Sequence, residues 1–266
     1  KSKNIDVTVL SLGEGFFEIP SLPISEAMWE RGLHYCSSWG IDSLREKLLS
    51  FFSRLKLRQD LDIDNVLITA GSKLAIHEIL IQIGFDSESR NRKVGIHAPS
   101  WLSYEPLVRM AGLEPIQFQS FGSIPKDIEA IIFSQPNNPS GVSIDQDELD
   151  EIIDSALERG ITLIIDEAYM LFQENSDISS SLKKERRLEN VYFVGSFSKM
   201  FGLSGWRAGF IVSTSRNIEK VNRLNQHITT CCSSLAQEIL TEHFDFLLEN
   251  GMKNSQRLAQ KNVRLR

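Results

Sequence analysis

Short apolar runs alternate with amphipathic stretches along most of the chain. Runs over residues 66–69, 93–97, 115–118, 130–134, 162–166, 191–195 and 208–212 read as strands. Several are apolar on both faces, as strands buried in a mostly parallel sheet are. Helical patterns cover residues 42–57, 72–83, 103–111, 145–158, 215–226 and 233–249. Asp145 followed by Glu148 fits a capping box, and Ser103 is a second start signal. This alternation over about 150 residues predicts an α/β fold with a mostly parallel central sheet flanked by helices. Such sheets bind ligands beyond the carboxyl ends of their strands. The polar stretch over residues 173–187 reads as a surface loop, and the mixed-sign group from Lys183 to Arg187 within it as a solvated face.

Composition narrows the function. The 266 residues are 41% hydrophobic and 24% charged, an ordinary globular balance that argues against disorder. A net charge of −6 without a dense basic stripe argues against nucleic-acid and anionic-membrane partners. No apolar run reaches the roughly 18 residues of a membrane span. Cys36, Cys231 and Cys232 make no disulfide framework, so a reducing compartment, the cytoplasm, is expected. His34, His77, His97, His227 and His243 show no HExxH spacing, and no CxxC pair exists, so no metal is expected. His34 and Cys36 read as packing residues. The opening KSKNIDVTVL and the closing KNVRLR read as ends of a segment of a longer protein.

The polar residues that end the strands carry the chemistry. The run ending at Thr69 is followed by Ala70-Gly71-Ser72-Lys73 and a helix, a turn that either suits a phosphate or simply joins two elements. The run ending at Ser134 is followed by Gln135-Pro136-Asn137-Asn138-Pro139-Ser140-Gly141, a rigid turn that presents an asparagine. The run ending at Asp166 continues Glu167-Ala168-Tyr169, and an acid there needs a partner. That partner is the next turn's backbone, a cationic ring nitrogen, or Mg²⁺ with ATP, but the last requires a GxxxxGK[ST] string and none exists. The last run of this kind leads into Ser196-Phe197-Ser198-Lys199-Met200-Phe201-Gly202-Leu203-Ser204-Gly205-Trp206-Arg207. Ser196-x-x-Lys199 fits the S-x-x-K of serine acyl-hydrolases, yet SDN and KTG are both absent.

Together these strings resemble the pyridoxal-phosphate enzymes of fold type I and, more narrowly, the class I/II aminotransferases. The resemblance runs from Leu12-Gly13-Glu14-Gly15 to the helix that begins at Ser233. It implies that Lys199 forms an internal aldimine with pyridoxal 5'-phosphate and then carries a proton between the substrate α-carbon and the cofactor. It implies that Asp166 pairs with the protonated ring nitrogen and keeps the ring an electron sink. Asn138 and Tyr169 would bond the ring oxygen, and Trp101 would stack on the ring. Ser72, Lys73, Ser196, Ser198 and Arg207 would hold the phosphate, with Arg207 eight residues past Lys199.

A tyrosine of the second subunit reaches that phosphate in the family, and Tyr35 stands at the matching place. Read by itself, Tyr35 is equally a buried aromatic near a helix start. The resemblance therefore implies a homodimer with the site at its two-fold interface. Gly13 and Asn138 would face the substrate. The implied organisation is an active-site and interface segment over residues 1–45 and a cofactor domain over 46–230. Residues 231–266 would begin the connection to a small C-terminal domain that is otherwise missing, along with its carboxylate-binding arginine. The implied reaction is amino transfer between an amino acid and a 2-oxo acid. The alternatives are a lyase or synthase outcome at the same site, or a regulatory domain without catalysis.

Overall fold

Seven strands form one sheet in the computed structural model, which describes residues 17–19, 21–86, 92–173, 178, 180–183 and 188–263. In chain order the elements begin with α1 (Glu26–Gly32), α2 (Asp42–Arg54), β1 (Val66–Thr69), α3 (Ser72–Asp86) and β2 (Lys93–His97). Next come α4 (Tyr104–Met110), β3 (Glu114–Phe118), β4 (Ala130–Ser134), α5 (Gln146–Glu158) and β5 (Thr162–Asp166). The chain then forms β6 (Val191–Ser196), α6 (Phe197–Met200), β7 (Gly209–Val212), α7 (Ser215–Ile228) and α8 (Ser234–Val263). The strand order is β1-β7-β6-β5-β4-β2-β3, with β7 antiparallel to both neighbours and the other pairs parallel.

Side-chain alternation divides the core into two layers. Ile131, Phe133, Leu163, Ile165 and Phe193 face α2, α5 and α8. Ala130, Ile132, Ile164, Tyr192 and Val194 face α3, α4 and α7. The first layer holds a run of rings from Phe193 and Phe210 through Phe197 to Phe244 on α8. Each such side chain gives about 1.5–3 kcal/mol on leaving water.

The differences from the sequence expectations have local causes. α1 starts where the Ser25 hydroxyl accepts the Met28 N–H at 3.2 Å; at seven residues it shows no long apolar repeat. α4 begins at Tyr104, and Ser103 makes no side-chain capping bond. Asp145 does cap α5, accepting from the Glu148 N–H at 2.9 Å. α8 continues well past Glu249, and Gly251 within it lies against the Met200 carbonyl. Part of the expected surface loop is core: Ser180, Ser181 and Leu182 are buried. His34 is exposed, and its carbonyl accepts from the Ser234 hydroxyl at 2.6 Å. Cys36 does pack as expected: half-buried, it takes the Gln237 amide on its sulfur at 3.2 Å.

Candidate active site

Strand register sets a polar row at one rim. Thr69 pairs with Gly209, Gly209 with Ser196, and Asp166 with Ser134. By alternation all five lie on the α3/α4 face. β7 is antiparallel, so its amino end, and Arg207 just before it, reach the rim where the parallel strands end.

Asp166 is at the centre. It is 7% exposed, and its Oδ2 accepts from the wholly buried Tyr104 hydroxyl at 2.9 Å. Its Oδ1 accepts from the Ala168 N–H at 3.1 Å. Burial pushes its carboxyl up to about 6, while the Tyr104 bond, the Ala168 bond and the Lys199 charge pull the other way. Lys199 is half-buried, with Nζ 6.0 Å from the centre of the Tyr169 ring. Burial, then the charge of Asp166, raise the Tyr169 phenol above its ordinary range.

Three more expected residues join through aromatic contacts and the β4 turn. Trp101 meets Tyr104 edge-on, with ring centres 5.5 Å apart. The Lys73 ammonium sits 4.9 Å from the Trp101 ring centre. The Asn138 N–H donates to the Ser134 hydroxyl at 2.8 Å, and the Asn137 amide donates to the Pro99 carbonyl at 2.9 Å. The Trp101 and Asn138 turns are therefore tied together.

A cationic corner lies at the start of α3. Gly71 has φ +89°, and a Cβ there would stand 2.4 Å from Arg207 Nη2. Only glycine lets the guanidinium lie against this turn. The first N–H groups of α3, those of Ser72 and Lys73, have no acceptor within the helix. Arg207 itself has φ +53° and donates through Nη1 to the Ser204 carbonyl at 2.9 Å. Ser196 and Ser198 are buried close by in sequence, and the Ser198 hydroxyl has no hydrogen-bond partner among the described residues.

Not every expected residue gathers here. Tyr35 is 86% exposed, which corrects the reading of it as a buried aromatic. It borders a separate hollow with Leu33 and the 231–234 turn. Gly13 lies outside the described residues. The sequence reading also missed two residues. Tyr104 looked like one more apolar position of a helix, and its partner is 62 residues away. Glu167 is fully buried, and its Oε1 takes both the N–H and the hydroxyl of Ser181 at 2.8 Å. Burial pushes that acid up to about 7. Among the described residues no group of His, Cys, Asp and Glu is placed to hold a metal, and no helix is long and apolar enough to cross a membrane.

Comparison with known proteins gives the family. The family described as aminotransferase class I and II matches residues 24–266. An aspartate aminotransferase of Sulfolobus acidocaldarius is 29% identical over 227 residues, covering 79% of this chain and 55% of its own length. A (5-formylfuran-3-yl)methyl phosphate transaminase of Methanocaldococcus jannaschii is 29% identical over 254 residues, covering 92% of this chain and 66% of its own length. This chain thus spans less than two thirds of these curated relatives. A solved Methanococcus jannaschii protein, described as similar in its active site to kynurenine aminotransferases, superposes with TM-score 0.78 at 26% identity, over 95% of this chain and 70% of the other. By sequence, fold and the residues gathered at the sheet's rim, the chain belongs to the class I and II aminotransferases.

Proposed function

We propose that the protein is a transaminase that moves an amino group between an amino acid and a 2-oxo acid, with pyridoxal phosphate held at the β5–β6 rim. One observation carries this reading: a buried acid, Asp166, lies within electrostatic reach of a half-buried lysine, Lys199, that stands over Tyr169. The family's coenzyme is pyridoxal phosphate, and the residues fit it. The partnerless, buried Ser198 hydroxyl and the Arg207 guanidinium against Gly71 suit a phosphate dianion. The buried Asp166 suits a cationic ring nitrogen.

When bound, the coenzyme supplies an electron sink for charge developing at the substrate α-carbon. Asp166 holds a proton on the ring nitrogen. Lys199 Nζ anchors the coenzyme and moves the proton taken from the α-carbon. That work requires the uncharged amine. Asn138 and Tyr169 donate to the ring oxygen, and Trp101 covers the ring. Ser72, Lys73, Ser196, Ser198 and Arg207 hold the phosphate.

Gly13 and Asn138 border the substrate. The chain works as a cytoplasmic homodimer in which the exposed Tyr35 crosses to the partner's phosphate. The three free thiols agree with a reducing compartment, and the exposure of Tyr35 agrees with a residue that serves another subunit. The cofactor domain is residues 46–230, framed by an interface segment over 1–45 and a connection from 231 onward.

The test is incubation with amino acids, with and without a 2-oxo acid acceptor. Transfer predicts one new amino acid per acceptor consumed. Ammonia, or a 2-oxo acid released over many turnovers per site without any acceptor, would instead indicate the lyase outcome and overturn transfer.

A further inference from the structure

A phenol buried to zero exposure needs a hydrogen-bond partner, and Tyr104 has an unusual one. Its hydroxyl donates to Asp166 Oδ2 at 2.9 Å, while Ala168 N–H fixes Oδ1 at 3.1 Å. Both carboxylate oxygens are therefore oriented. The edge-on Trp101 ring at 5.5 Å restricts the plane of the phenol. Behind the phenol lies the Ser134 hydroxyl, which already accepts from Asn138 N–H at 2.8 Å. A hydroxyl that accepts there keeps its own proton to donate. Ser134 pairs with Asp166 across β4 and β5, so its hydroxyl borders the Tyr104–Asp166 bond and the Asn138 turn alike.

We propose that Tyr104 is a positioning residue, whose hydroxyl holds Asp166 as an anion turned to the coenzyme ring and links that orientation, through Ser134, to the Asn138 turn. The inference rests on the reading of Asp166 as the partner of the ring nitrogen. A purely structural Tyr104 would matter for packing alone, and Phe would replace it without consequence for Asp166. The titratable groups that bear on Asp166 are Lys199 after β6, Tyr104 on α4, and Glu167 and Tyr169 after β5. Tyr104 donates a side-chain hydrogen bond to that carboxylate.

The experiment measures the affinity of the coenzyme-stripped full chain for pyridoxal phosphate across pH 5.5–8.5, for wild type and Tyr104→Phe. Losing a hydrogen bond to the charged form makes Asp166 hold its proton to higher pH. The acid limb of the affinity profile should move up by about one unit, so binding near pH 6 weakens up to about tenfold and recovers by pH 8.5. In an Asp166→Asn background, Tyr104→Phe should leave the profile where Asp166→Asn puts it. Superimposable wild-type and Tyr104→Phe profiles would overturn the inference, as would an equal further loss in the Asp166→Asn background. If Tyr104→Phe does not fold, Ser134→Ala should move the limb the same way, and an unmoved limb overturns the proposal. Failure of wild type to bind pyridoxal phosphate at all would be a failure of the functional reading instead.

Discussion

Asp166, Glu167 and Glu78 are carboxyls taken out of water, and burial pushes them up to about 6, 7 and 8. Glu78 is the plainest case, because neither of its oxygens has a hydrogen-bond partner among the described residues. Between the ordinary carboxyl range and about pH 8 the native state keeps this proton and the unfolded state does not. Native stability from this group is therefore full at low pH and is lost as pH rises toward 8, by up to about 1.4 kcal/mol per pH unit. Glu78→Gln removes the titration. Its melting temperature relative to wild type should improve between pH 5 and pH 8, and a difference independent of pH would contradict the assignment. Lys199 and Asp166 were legible from sequence as charges that follow apolar runs, and Arg207 through the family resemblance. Tyr104 was not, since a phenol in an amphipathic pattern looks like core until its distant partner at the end of β5 is seen.

Among the elements, the strands were the most legible. Apolar runs such as residues 130–134 have little choice but a buried strand, and their edges match closely. α8 was not legible beyond its middle. Asn250-Gly251 reads as a helix stop, because glycine costs a helix about 0.5–1 kcal/mol against alanine. Glycine stands there for contact: a Cβ at 251 would lie 2.2 Å from the Met200 carbonyl oxygen. α8 thus presses on the short α6 that carries Lys199. Gly251→Ala should cost about 2 kcal/mol or more, as overpacking does, and should loosen coenzyme attachment with it. Thermal unfolding and visible absorbance of the variant check this. A wild-type melting temperature and spectrum would show that α8 does not brace the lysine.

The molecule as a whole is one sheet whose rim collects residues from β1, β4, β5, β6 and the approach to β7. This gathering follows from topology: an antiparallel β7 delivers Arg207 to the same edge as Ser72. Tyr35 is exposed, and the proposed dimer would give it a purpose. Tyr35→Ala and Lys199→Ala chains should each be impaired alone and regain activity when mixed, because one site of the mixed dimer holds both residues. No recovery on mixing would place Tyr35 outside the partner's site. The most direct measurement of the central claim is borohydride reduction of the coenzyme-loaded protein, followed by peptide mass mapping. The account predicts one added coenzyme mass on the peptide that contains Ser198-Lys199-Met200, absent in a folded Lys199→Ala variant. A label on another lysine, or none on loaded protein, would contradict it.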